Sequence, residues 1–167
     1  MELYILRHAI AEERDNTRYA DDSQRPLTPK GIKRMRRVAE GLLALECSFD
    51  VIYTSPFARA KRTAQIVAET LGATEKLRET DALATDGDPK ALINLINSGK
   101  DEFERVMIVG HEPYLGELIS VLLSGDENLL ITMKKGGVCK LRVDTLSYSK
   151  CASLEWHIPP GVAVHLE

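Results

Sequence analysis

Three stretches of this 167-residue chain place residues able to do chemistry directly after apolar runs. Leu3, Tyr4, Ile5 and Leu6 lead into Arg7 and His8; "VIYT" leads into Ser55 and Pro56, with Arg59 close behind; "VMIV" leads into Gly110 and His111. Two imidazoles and two guanidiniums brought together make a cationic basin. The forks of Arg7 and Arg59 suit a tetrahedral oxyanion, whose oxygens they can hold with directional, charge-assisted bonds. A metal ion fits the set poorly, because a His-rich site needs a third or fourth ligand and neighbouring arginines repel a cation. Any one of these pairs alone is ordinary strand-end chemistry, so the weight falls on what brings all three to one place.

That scaffold is legible in the apolar patterning. Strands over Leu3 to Leu6, Val51 to Thr54 and Val106 to Val109 alternate with helical patterns, which predicts an α/β domain around a largely parallel sheet. Ile32, Met35, Val38, Ala39, Leu42 and Leu43 recur at helical spacing after the start signal Thr28-Pro29. A second helix is expected from about Pro56 to Leu71, stopping at Gly72, and a third from Pro113 to near Gly125. Val138 to Val143 and Leu154 to Ile158, separated by "DTLSYSKCA", read as an antiparallel edge hairpin. In a parallel sheet the three chemical stretches all lie at strand carboxyl ends, where open α/β sheets form their ligand crevices.

"SPFARAKRT" sharpens the point. With Ser55 as N-cap and Pro56 at the first helical position, Arg59, Lys61 and Arg62 fall in the opening two turns. Cations there face the positive end of the helix dipole, an arrangement expected where a bound anion compensates. Arg59, nearest the sheet edge, is the functional candidate; Lys61 and Arg62 read as solvated surface. Thr63 shares the face of Arg59, can orient it, and is itself a phosphate- or substrate-binding candidate. His157, inside "LEWHI", and His165, near the end of the chain, read as structural or solvent-facing.

Composition sets the surroundings. The chain is 44% hydrophobic and 28% charged, which fits one globular domain over residues 1–167. A net charge of −3, from 22 basic and 25 acidic residues, argues against nucleic acid or an anionic membrane as a partner. No apolar run approaches the ~18 residues of a membrane span. Cys47, Cys139 and Cys151 are odd in number and widely spaced, which predicts free thiols in a reducing, cytoplasmic setting.

The motifs "LRHAIAE", "RPLTPKG", "TSPFARAKRTA" and "VGHEP" occur in this order from Leu3 to about Leu123. Together they resemble the successive signatures of the histidine phosphatase (phosphoglycerate mutase-like) superfamily, and their wording is similar to its SixA-type phosphohistidine phosphatase branch. The resemblance implies a three-layer α/β/α sandwich with an antiparallel strand pair near the C-terminus. It implies His8 as covalent nucleophile, Arg7, Arg59 and His111 as the phosphate-binding set, and no cofactor or metal. Arg25 is a further phosphate- or substrate-binding candidate on the same ground, lying in a polar loop between His8 and Thr28 that exceeds the usual connection length.

Many members of this superfamily that cleave phosphate esters carry a Glu or Asp general acid where this chain reads "LRETDALATDGDPKAL". Glu79 and Asp81 are the candidates there, and their context does not choose between them. An alcohol leaving group needs such an acid. Imidazole, whose conjugate acid has a pKa of about 6.5, departs more readily. The chain also lacks long insertions that could cover a small substrate. The expected substrate is therefore a histidine-phosphorylated protein, hydrolysed by a monomer to inorganic phosphate. The alternatives are a small-molecule phosphate monoester phosphatase of the same superfamily and a noncatalytic phosphate- or phosphoprotein-binding module, which would have no need of a nucleophile.

Overall fold

A computed structural model describes residues 1–99 and 102–166. Six strands, β1 (Glu2–Arg7), β2 (Val51–Thr54), β3 (Leu77–Glu79), β4 (Arg105–Gly110), β5 (Val138–Val143) and β6 (Ala152–Ile158), form one sheet in the order β3-β2-β4-β1-β5-β6. β3, β2, β4 and β1 pair in parallel; β5 runs antiparallel to both β1 and β6, so the C-terminal hairpin is as expected, with β6 at the edge. The apolar runs are continuous because the central strands are buried on both faces. Tyr4 and Leu6 of β1 face one core with Met107 and Val109 of β4, while Leu3 and Ile5 face the other with Val106 and Ile108.

Helices cover both faces and complete the three layers. α1 (Pro29–Ala44), α2 (Ala58–Thr70) and the short α5 (Pro160–Ala163) supply Met35, Val38, Ala64, Val67 and Ala163 to the first core. α3 (Pro89–Ser98) and α4 (Tyr114–Ser124) supply Leu92, Ile96, Leu115, Leu118 and Leu122 to the second. The Thr28 hydroxyl caps α1 by accepting from the Gly31 N–H, as its sequence predicts. Gly125 closes α4 at φ 95°, where a side chain would be strained. No described helix is long and apolar enough to cross a membrane.

One sequence expectation needs correction. α2 begins at Ala58 rather than Pro56, because Phe57 is extended (φ −64°, ψ 132°) and stands at the N-cap position, with its N–H donating to the Ser55 hydroxyl at 3.2 Å ahead of the helix. The segment containing Glu79 and Asp81 holds β3, a 3-10 turn at Asp81–Leu83 and the start of α3, which is capped by the Asp88 carboxylate.

Candidate active site

The carboxyl ends of β1, β2 and β4 are neighbours in the sheet, and each delivers its side chain to one basin. Register fixes the alignment: Arg7 pairs with Gly110, and Thr54 with Val109. His8 and His111 therefore emerge side by side, with ring centroids 5.1 Å apart. Both are buried, at 5% and 2% exposure, and Arg59, on the first turn of α2, is 3% exposed. A guanidinium and two imidazoles kept this dry in a single place are costly unless something compensates.

His8 is held from several sides. Its N–H donates to Gly110 O at 3.0 Å, and its own carbonyl accepts from Gly136 N at 3.2 Å. The ring Nδ1 lies 2.7 Å from Ala9 O. A carbonyl can only accept, so Nδ1 carries the proton and the Nε2 lone pair is free. Burial is the main cause that pushes the His8 pKa down to about 3, with the backbone hydrogen bond opposing it and His111, Arg59 and Arg7 reinforcing it. The ring is neutral at physiological pH, as a nitrogen nucleophile must be. Thr63 supports this arrangement by accepting from Ala9 N at 3.0 Å and donating to Arg59 O at 2.7 Å, which ties the chain after His8 to the backbone that presents Arg59.

The two arginines are anchored by groups absent from the recognised motifs. Arg7 Nη1 donates to Met133 O at 2.7 Å. Arg59 Nη1 donates to the Asp22 carbonyl at 2.9 Å, and its Nη2 pairs with Asp22 Oδ2 at 3.0 Å. Arg25 does not approach the histidines through any hydrogen bond of its own. Its Nε pairs with Asp22 Oδ1 at 2.9 Å and its Nη1 donates to Glu12 O at 2.7 Å, so it reaches Arg59 through the shared carboxylate. Burial raises the Asp22 carboxyl, but the Arg25 hydrogen bond and the charges of Arg59, Arg25 and Arg14 outweigh it and hold the pKa below the usual carboxylate range.

What remains unpaired is informative. Among the described residues, Arg7 Nε, Arg59 Nε and His111 Nδ1 are buried with no hydrogen-bond partner. Buried polar groups are normally satisfied, and three unpartnered nitrogens in one basin are a set that an oxyanion can pair. His111 is also neutral: burial, then the charge of Arg59, push its pKa down to about 4. No described group of three His, Cys, Asp or Glu side chains is arranged to hold a metal ion.

The remaining sequence candidates lie further out. Lys61 pairs with Glu79 at 2.6 Å and Arg62 with Glu69 at 2.8 Å, both on the surface. Asp81 is exposed and lines a groove with Phe57, whose ring centroid is 5.1 Å from that of His111. Glu112, which follows His111 in "VGHEP" and carries no sequence signal of its own, has a buried Oε1 without a partner. Burial pushes its pKa up to about 7, with the charge of Arg7 opposing.

Fold and basin define a phosphate-handling site of one class, and the chain belongs to the histidine phosphatase superfamily (branch 1), whose family model matches residues 3–95. An uncharacterized protein of Picosynechococcus is 37% identical over 144 residues, covering 85% of each chain. The phosphohistidine phosphatase SixA of Escherichia coli is 26% identical over 161 residues, covering 96% of this chain and 94% of its own. Among solved structures, the protein histidine phosphatase SixA complexed with tungstate superposes with a TM-score of 0.84 at 23% identity, over 97% of this chain and 99% of that one.

Proposed function

We propose that the protein is a cytoplasmic phosphatase that hydrolyses phosphohistidine on another protein through a phosphohistidine formed on His8. One observation carries the reading: a buried, neutral His8 with its Nε2 lone pair free stands in a basin whose Arg7 Nε, Arg59 Nε and His111 Nδ1 lack partners. The likeness to SixA, named as a phosphohistidine phosphatase, supports the substrate class.

In the first step His8 Nε2 attacks phosphorus as the substrate N–P bond breaks, and the bonding pair leaves on the substrate imidazole. A proton on that ring's other nitrogen makes the leaving group neutral. In the second step a water oxygen forms the new P–O bond, the His8 N–P bond breaks, and its pair returns to Nε2. One water proton passes to solvent or to the departing inorganic phosphate. Arg7, Arg59 and the His111 Nδ1–H face the equatorial oxygens throughout. Phosphoryl transfer asks little covalent work of a protein, so this fixed, desolvated positive field provides most of the catalysis. No step uses a metal, and the two arginines would repel one.

Glu112 favours one second reading, a small-molecule monoester phosphatase. A carboxyl with a pKa of about 7 keeps a proton near neutrality, the form in which a general acid assists an alcohol leaving group. A side-by-side assay against a histidine-phosphorylated protein and a panel of small phosphate esters decides between them. The expected result is a higher kcat/KM for the phosphoprotein, with Glu79→Gln/Asp81→Asn retaining it within about tenfold, short of the ~10²- to 10⁴-fold loss of a working acid. Faster ester cleavage that collapses in any of these carboxamide variants or in Glu112→Gln establishes the second reading.

A further inference from the structure

Ser55 directly follows β2 and is fully buried, and its hydroxyl has two nitrogen neighbours: Phe57 N at 3.2 Å and His111 Nε2 at 2.8 Å. The Phe57 N–H can only donate, so Ser55 Oγ accepts there. The hydroxyl's own proton must go elsewhere, and His111 Nε2 is its one acceptor among the described residues. The Ser55 carbonyl is already used, accepting from Thr54 Oγ1 at 3.1 Å, which fixes the peptide that carries the side chain. Donation to Nε2 leaves the His111 proton on Nδ1.

The opposite assignment fails on donor accounting. If His111 carried its proton on Nε2, the Ser55 hydroxyl proton would be buried without an acceptor, and a bare Nδ1 lone pair would face a basin built for an anion. Both defects vanish when the proton sits on Nδ1, where the only unmet need is the oxygen that a bound phosphoryl group supplies. We infer that Ser55 is a positioning residue that selects the Nδ1–H tautomer of His111 and so makes it a hydrogen-bond donor to the phosphoryl group.

This selection divides labour between two rings of the same tautomer. His8 turns its Nδ1–H away to Ala9 O and presents the Nε2 lone pair; His111 turns Nε2 away to Ser55 and presents Nδ1–H. One ring offers an electron pair to phosphorus, the other a proton to oxygen. With the rings 5.1 Å apart, exchanging either tautomer would remove the nucleophile or put a second lone pair against the anion. The same hydroxyl holds the entry to α2 by accepting from Phe57 N while its proton goes to the histidine. The catalytic consequence rests on the phosphatase reading above, whereas the tautomer is a property of the resting protein.

The test is nitrogen-15 NMR of the imidazoles in the ligand-free protein near neutral pH. The expected wild-type signature is a protonated Nδ1 and an unprotonated Nε2 for His111. A protonated Nε2 overturns the inference whatever the protein's activity. Ser55→Ala should shift His111 toward an Nε2–H or mixed population and lower kcat by about tenfold to a hundredfold, approaching the cost of an oxyanion donor; KM should change far less. Ser55→Thr, which keeps the hydroxyl, should restore the tautomer and most of kcat. An unchanged tautomer in folded Ser55→Ala also overturns the role of Ser55. Should the alanine variant fail to fold, the wild-type and threonine spectra decide. An Nδ1–H signature in a protein that turns over no phosphorylated substrate would sink the phosphatase reading while leaving the tautomer assignment intact.

Discussion

Replacing Arg59 by alanine should damage the site far more than replacing Arg62, three positions along the same helix. Arg59 is 3% exposed, stacks over the Phe57 ring at 5.1 Å, and has its Nη groups fixed by Asp22 while Nε is buried and unpaired. With one hydrogen of each Nη held by Asp22, the unpaired Nε–H is a buried donor available to an oxyanion. Loss of one charge-assisted bond in a desolvated site costs ~1.5 to 3 kcal/mol, which is about a 10- to 150-fold weaker complex. Arg62 pairs with Glu69 at 2.8 Å with both side chains substantially exposed, and such a pair contributes about 0 to 1 kcal/mol to stability and nothing to the anion. Calorimetric titration with tungstate or vanadate at fixed ionic strength measures the contrast directly. Arg59→Ala should lose at least about tenfold in affinity, and Arg62→Ala should stay within about twofold. Equal losses from the two variants would refute the placement of the helix face and the assignment of Arg59 to the anion.

Two further outcomes concern protonation. His8 and His111, with pKa values of about 3 and 4, should show flat imidazole resonances from about pH 5 to 8, since burial keeps both rings neutral there; a midpoint near the ordinary value of about 6.5 for either ring contradicts the dry basin. Glu112, raised from 4.5 to about 7, binds more protons in the folded than in the unfolded protein between those values, so its contribution to stability falls as pH rises through that window. Urea unfolding should therefore find Glu112→Gln more stable than wild type by up to about 3 kcal/mol at about pH 8, with the difference vanishing at about pH 4; an unchanged difference between the two pH values would show that the carboxyl is not desolvated.

The sheet and the four central residues were legible because their signals are local. Each central strand is a continuous apolar run, and Arg7, His8 and His111 stand at or immediately beyond such runs, so parallel pairing alone brings them together. Thr28-Pro29 and Gly125 mark helix ends by conformational preferences that tertiary contacts do not override. What was not legible is non-local or lacks a side-chain signature. Asp22 meets Arg59 across 37 positions, and Met133 serves through a main-chain carbonyl that any residue could provide. β3 has three residues, all at least partly exposed, too few for a periodic pattern to appear. α3 carried readable signals in Asp88-Pro89 and in Leu92, Ile93 and Ile96, which the acidic, glycine-containing stretch before it obscured. The second partner of the Ser55 hydroxyl, His111, lies 56 positions away and leaves no local signal.

The central claim is that His8 takes the phosphoryl group. Rapid acid-free quenching of the wild-type protein during turnover of a radiolabelled histidine-phosphorylated protein, followed by peptide mapping, tests it most directly. The account predicts transient label on His8, absent from a folded His8→Ala variant that has lost turnover. Label on any other residue, or normal turnover by His8→Ala, would contradict it.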